Sequence, residues 1–324
     1  MTTDGEPQPG DKRLMPIMRR LDSAEQAITF LKSAGLRELR AALETTLRDV
    51  RPEVLVEIEI LHHLALEGRH CATPLLLCAV AARVPVWIYG DSGSGKSTAA
   101  ELVARELSLP FSAISVCPTT TKSDVLGYMD AGGTYRTTEF RKRFEGGGVF
   151  LIDEIDNGNA QVIAVLNSAL SNDLCAFPDG MIRRHEDCVI IAAANTIGRG
   201  ANVRFVGRAP VDATTLDRFI FLHMDIDENL ENALAGLAFD QNKLVNVGEG
   251  GHVGTEGWVD YVRQVRHAVA NLGIDQIISP RATLYGLRLL KMGVGATHVK
   301  EMCVWKGMRE ADRERVVAAM RVRT

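Results

Sequence analysis

The sequence predicts an α/β protein: a parallel five-stranded sheet between two helical layers, a three-layer sandwich, followed by an all-α domain. Five short apolar segments are the first observation: Val84–Tyr89, Phe111–Val116, Val149–Ile152, Val189–Ala194 and Phe219–Met224. None alternates with polar residues, as expected of strands covered on both faces. Helical stretches at Lys96–Leu107, Thr138–Phe144 and Ala160–Leu170 separate them, and strand–helix alternation specifies a doubly wound parallel sheet. Beyond Asp227 the strand pattern stops, and Trp258–Asn271, Arg281–Met292 and Asp312–Arg321 all carry a helical period.

The elements follow in order along 324 residues, enough for about two domains. Residues 1–20 are polar, Gly- and Pro-rich and then basic, and predict a flexible tail. Residues 21–69 form an N-terminal unit. Ala27, Ile28 and Leu31, then Leu36, Leu39, Leu43 and Leu47, recur at helical spacing on either side of Gly35. Val54, Val56, Ile58 and Ile60 then alternate as one half-buried strand. Residues 70–227 make the sheet and residues 228–324 the helical domain, with 248–251 a glycine-rich loop.

Composition narrows the class. Apolar residues are 46% and charged residues 24%, values of an ordinary globular chain. The longest apolar runs, such as Leu75–Ala82, fall far short of the roughly 20 residues that span a bilayer. The first ten residues lack a secretory pattern. The six cysteines contain no C-x-x-C pair and predict buried free thiols, so the expected compartment is a reducing cytoplasm. A net charge of −4 argues against a strongly basic nucleic-acid binder and leaves only a local patch, such as Arg183-Arg184-His185.

Gly90-Asp91-Ser92-Gly93-Ser94-Gly95-Lys96-Ser97 fits G-x-x-x-x-G-K-[ST] and lies between a predicted strand and a predicted helix. Glycines let backbone N–H groups converge on an anion, and the following helix adds its dipole. Lys96 is placed to reach the outer phosphates of a nucleotide, and Ser97, with Thr98 behind it, to serve the cation. The second site is Val149-Phe150-Leu151-Ile152-Asp153-Glu154, a buried strand ending in two carboxylates. Strand C-termini of a parallel sheet face the ligand crevice. Asp153 and Ser97 are therefore the Mg²⁺ candidates, and Glu154 the general base. Asp156 could equally cap the following helix.

With these motifs, the segment from about His70 to Met292 resembles the AAA+ ATPases, specifically the dynein-related branch with the MoxR-type chaperones and the ATPase subunit of cobaltochelatase, and CobS-like phage ATPases. The matching residues are Gly90–Ser97, Gly146–Asp156, Ala193–Gly198, Leu216–Phe219 and Ser279-Pro280-Arg281. The resemblance implies a P-loop NTPase core with a helical lid, and Mg·ATP as ligand. It makes Asn195 the polar sensor of the γ-phosphate, Arg281 the sensor arginine of the lid, and Arg218 the finger offered to a neighbouring subunit's nucleotide. Arg208 is a competing or additional finger. A finger in trans implies a homo-oligomeric ring, expected to hold six subunits.

By the same resemblance, 127–136 is a helix-2 insert and 177–182 a pre-sensor hairpin facing the ring axis, with plain surface loops as the alternative; Pro178-Asp179-Gly180 is itself a hairpin signal. The implied activity is remodelling of a protein, with a von Willebrand A-type partner. The alternative is a DNA-directed motor or a phage replication or defence component, like the McrB relatives. Two weaker signals are set aside. Thr121-Lys122-Ser123-Asp124 resembles a guanine-reading motif but lies too early for that role, which favours ATP. His62, His63 and His70 lack an acid or thiol at zinc-ligand spacing, and His70 is expected at a helix entry or beside adenine.

Overall fold

The computed structural model of the chain describes residues 69–171, 173–201, 205–237, 244–246 and 252–321. The expected N-terminal tail, the helices within 22–50, the strand at 54–60, His62, His63 and the 248–251 loop lie outside the described residues.

The order is α1 (Thr73–Ala81), β1 (Val86–Tyr89), α2 (Lys96–Glu106), β2 (Phe111–Ser115) and α3 (Lys122–Leu126), then a hairpin of β3 (Tyr128–Met129) and β4 (Tyr135–Arg136). Next come α4 (Glu139–Gly146), β5 (Gly148–Asp153), a 3₁₀ turn (Ile155–Asn157), α5 (Ala160–Ser171), and a hairpin of β6 (Leu174–Phe177) and β7 (Gly180–Arg183). Then follow β8 (Cys188–Ala194), α6 (Ala213–Leu216), β9 (Ile220–His223) and α7 (Glu228–Ala235). The last elements are the short pair β10 (Leu244–Asn246) and β11 (His252–Gly254), and helices α8 (Thr255–Asn271), α9 (Pro280–Lys291), α10 (Ala296–Cys303) and α11 (Glu310–Arg321). The main sheet has five strands in the order β2-β5-β8-β1-β9, each pair parallel. This is the P-loop AAA+ fold.

The sheet separates two apolar layers, which explains the missing alternation. Val149 and Leu151 of β5, Val189, Ile191 and Ala193 of β8, and Val86 and Ile88 of β1 pack with α1 and α2. The intervening Phe150, Ile152, Ile190, Ala192, Ala194 and Trp87 pack against α3, α4 and α5. One expectation fails at the edges. β2 and β9, paired on one side only, are mostly half-buried or exposed, and Ile220 and Phe221 are open. An edge strand in this chain lacks the neighbour that covers a central one.

Helix α1 coincides with an apolar run. It is buried at Thr73, Pro74, Leu76, Leu77, Ala79, Val80 and Ala81, so it has no polar stripe to reveal a helical period. The all-helical expectation beyond Asp227 needs one correction, because β10 and β11 pair as an antiparallel ladder. Three-residue strands are too short to display a period of two. The remaining elements there are helices, packed around Trp258, Val259, Val262, Val265, Leu287, Leu290 and Val299. Gly286 of α9 passes so close to Trp258 that a Cβ would lie 2.1 Å from the indole ring.

All six cysteines are free thiols; Cys175, Cys188 and Cys303 are buried, whereas Cys71 and Cys117 are exposed. Burial pushes the Cys188 thiol up to about 12. Among the described residues no helix is long and apolar enough to cross a membrane.

Candidate functional site

The C-terminal ends of β1, β5 and β8 meet at a pocket of about 320 Å³ lined by Ser92, Gly93, Gly95, Lys96, Ser97, Thr98, Asp153, Glu154, Asn195 and Arg281, with Ala193 and Ala194 at its floor. Gly90 leaves β1 beside Met224, the residue that follows the parallel neighbour β9. A Cβ there would lie 2.0 Å from the Met224 carbonyl oxygen, and φ is +148°, a backbone conformation suited to glycine. Gly95, with φ +95°, is the N-cap of α2, so the loop turns straight into a helix N-terminus, an anion-binding device.

Lys96 is buried. Its Nζ donates to the Gly90 carbonyl at 2.8 Å, the Asp91 carbonyl at 2.9 Å and Asn195 Oδ1 at 3.2 Å, with Ser94 Oγ at 3.5 Å. Burial pulls its pKa below the ordinary lysine value, against the opposing charges of Asp153, Asp91 and Asp156. Ser97 Oγ donates to Asp153 Oδ2 at 2.6 Å. A hydroxyl and a carboxylate oxygen this close form a hard-oxygen donor pair that fits Mg²⁺ shared with phosphates. The residues also fit a nucleotide polyphosphate: a glycine cradle, a lysine, and an arginine at the rim.

Glu154 follows Asp153 in the left-handed region, with φ +54°, and its backbone N–H donates to Asp153 Oδ1 at 2.9 Å. Both carboxylates line the pocket, Asp153 beside Ser97 and Glu154 beside Asn157. Asn195 follows the last residue of β8, and its backbone N–H donates to Asp156 Oδ2 at 3.2 Å; Thr196 Oγ1 donates to the same oxygen at 2.9 Å. Asp156 is therefore not a helix cap. It is buried and ties the β5 turn to the residues after β8, while the N-terminus of α5 is capped by Asn159, whose Oδ1 accepts from the Val162 N–H at 3.1 Å. Spacing alone carries no signal of this tie, because 39 residues separate the partners.

The three arginines occupy different settings. Arg281, at the start of α9 behind Pro280, reaches the pocket from the helical region. Arg218 lies elsewhere: its Nε donates to Ser171 Oγ at 2.6 Å, and its Nη1 to Asn167 Oδ1 at 3.3 Å and to the Thr214 carbonyl. It does not line the pocket of its own chain. Arg208 Nη1 lies 3.4 Å from Asp156 Oδ1 and 3.6 Å from Glu154 Oε2, so the competing finger is engaged within its own chain.

The secondary candidates also find places. His70 Nδ1 accepts from the Ala72 N–H at 3.0 Å, so Nε2 carries the proton and donates to the Asp225 carbonyl at 2.7 Å. This is the helix-entry role. Both ring nitrogens are used, so the neighbouring Cys71 and Asp227 find no lone pair there for a metal. Thr121 and Asp124 form a capping box on α3, a structural use for the guanine-motif look-alike. In the expected basic patch, Arg184 is paired with Asp173 at 2.6 Å. The 177–182 signal is a true hairpin, β6–β7, closed by Arg141, which stacks on Phe177 and donates to Asp179 at 2.7 Å. The 127–136 insert contains the hairpin β3–β4, its turn organised by Asp130, which accepts from the N–H groups of Gly132 and Thr134.

The fold and this site have the P-loop AAA+ architecture. More narrowly, residues 85–219 match the family model of the AAA domain (dynein-related subfamily). No curated protein matches the chain. Among solved structures it is similar to the Thermotoga maritima RuvB Holliday junction branch migration motor (16% identity, 75% of this chain and 72% of that one, TM-score 0.43). It is also similar to a Cytophaga hutchinsonii protein described as an ATPase (15%, 93% and 97%, TM-score 0.41). A third is closed-state Hsp104 with ATPγS and FITC casein (17%, 73% and 46%, TM-score 0.47).

Proposed function

We propose that this chain is a Mg²⁺-dependent ATPase that works as a homo-oligomeric ring, expected to be hexameric, and remodels a protein partner. The observation that carries the reading is the convergence of Lys96, Ser97, Asp153, Glu154, Asn195 and Arg281 on one pocket at the strand ends. The loop from Gly90 to Gly95 and the N-terminus of α2 would bind the phosphates, with Ser92, Ser94 and Thr98 beside them. Lys96, now held by two carbonyls and Asn195, would turn to the outer phosphates as they arrive. Ser97 and Asp153 would hold Mg²⁺, which supplies charge neutralisation along the polyphosphate. Asn195 would orient the attacking water and Glu154 would take its proton. Arg281 would close the helical region over the nucleotide, which fits a domain division near Asp227.

Arg218 supports the ring. It lies off its own pocket, held by Ser171 and Asn167 of α5 and the Thr214 carbonyl of α6, and would leave these partners for a neighbouring subunit's nucleotide. Such an arginine is worth roughly 10³–10⁵ in rate. A protein substrate, with a von Willebrand A-type partner and a cytoplasmic setting, follows from the resemblance to the MoxR and cobaltochelatase ATPases. The DNA-directed alternative is weakened because Arg184 is committed to Asp173. The test is phosphate release from ATP with Mg²⁺, combined with sedimentation. The expected result is hydrolysis abolished by a chelator and a ring that forms with Mg·ATP. A species that stays monomeric under those conditions would refute the role of Arg218, and stimulation by DNA alone would favour the motor.

A further inference from the structure

Among the described residues, Arg208 is the one arginine within ion-pair distance of the candidate base, and it does not line the pocket. Its side chain is only 11% exposed, whereas that of Glu154 is 46% exposed and lines the pocket. The buried guanidinium thus approaches Glu154 without lining the pocket. Glu154 Oε2 accepts from Asn157 Nδ2 at 3.4 Å, and Arg208 Nη1 lies 3.6 Å from it, an ion-pair contact short of a hydrogen bond. That leaves Oε1 for a water in the pocket.

The second observation is an incomplete junction. Arg208 Nη1 and Asp156 Oδ1 are both fully buried, and among the described residues neither makes a hydrogen bond. They face each other at 3.4 Å, well beyond the ~2.7–2.9 Å of a formed guanidinium–carboxylate bond. A buried charged pair left open is costly, and a movement of about half an ångström would close it. The other oxygen of Asp156 is fastened to the Asn195 N–H and the Thr196 hydroxyl, and the Asn195 side chain is fastened to Lys96. A continuous chain of contacts therefore runs from Lys96 through Asn195, Asp156 and Arg208 to Glu154.

We propose that Arg208 is a positioning residue acting in cis: it anchors Glu154 Oε2 and, through Asp156, makes the placement of Glu154 depend on where Asn195 sits. When phosphate draws Asn195 and Lys96, Asp156 shifts, the open pair with Arg208 closes, and the base is set for the attacking water. This rests on Glu154 being the catalytic base, so both are tested together. Steady-state hydrolysis is measured for the parent, Arg208→Ala, Arg208→Lys and Glu154→Gln, with nucleotide affinity read separately from a fluorescent ATP analogue. Arg208→Ala should lose about tenfold or more in kcat, since small displacements of a catalytic group are costly, with KM and Kd unchanged. Arg208→Lys should recover part of the loss, because an ammonium can still anchor one oxygen.

If Arg208→Ala melts early, Arg208→Met, which keeps the buried stem, replaces it with the same expectation. An Arg208 variant hydrolysing at the parental rate, while Glu154→Gln is inactive, would overturn the proposal alone. Parental hydrolysis by Glu154→Gln would instead overturn Glu154 as the catalytic base, and the proposal that rests on it. Mixing subunits separates cis from trans. Glu154→Gln with Arg218→Ala should regain activity through composite sites, whereas Glu154→Gln with Arg208→Ala should not. Recovery in the second mixture would make Arg208 a trans residue and overturn the proposal.

Discussion

The sheet core and the helical region beyond Asp227 place the cations that line the pocket by opposite means. In the core, Lys96 sits among neutral oxygens, two carbonyls and the Asn195 amide, on a frame made by apolar strands. In the helical region, the segment carrying Arg281 is footed on charge. Buried Glu231 accepts from Arg266 at 2.6 and 3.0 Å, from Arg263 at 3.1 Å and from Thr283 at 2.6 Å. Arg266 in turn donates to the Ile278 carbonyl at 2.7 Å, three residues before Arg281. Backbone geometry around an apolar frame tolerates the loss of one side chain. A buried ion cluster does not, because each remaining charge is left unpaired.

That contrast can be broken in several places. The largest effect belongs to Lys96→Ala, which should cost about 10²-fold or more in hydrolysis, in the range for loss of one preorganised cationic or hydrogen-bond donor, yet leave the melting temperature close to the parent's. A collapse of the fold would show that the core is not self-supporting. Next comes Glu231→Gln, which should destabilise the helical region by about 3–5 kcal/mol, read from thermal melts.

The pH dependence of that variant sharpens the point. Burial pushes the Glu231 pKa up, but the hydrogen bonds and charges of Arg266, Thr283 and Arg263 outweigh it and hold the pKa below the ordinary glutamate value. The stabilisation is then fully present above that ordinary value and is lost as pH falls through the lowered one. The gap between parent and variant should narrow on acidification below about pH 4.5; a gap that widens would contradict the ion-cluster account. Smaller again is Gly286→Ala, whose Cβ would press on the Trp258 indole. It should cost about 1–3 kcal/mol with little change in hydrolysis at saturating nucleotide.

Much of the site is legible in the sequence because its residues are near one another along the chain or end a strand. Gly90–Ser97 and Asp153-Glu154 need only a strand and a turn, and the strands that carry them are apolar on both faces. The tie from Asp156 to Asn195, the engagement of Arg208 with Glu154, and the pairing of Arg184 with Asp173 depend on chain segments brought together by folding. Charge alone makes Asp156 look like a cap and Arg208 like a finger. Edge strands escape a hydropathy reading because it does not say which strand lacks a neighbour, and α1 escapes it because a helix buried nearly all round has no polar face.

The central claim is that Glu154 activates water for Mg·ATP hydrolysis in the pocket at the strand ends. The most direct measurement is the single-turnover rate of phosphate release by Glu154→Gln, with Mg·ATP binding confirmed on the same protein. The account predicts retained binding and a rate lowered by about 10²–10⁴-fold. Release at the parental rate with binding intact would contradict it.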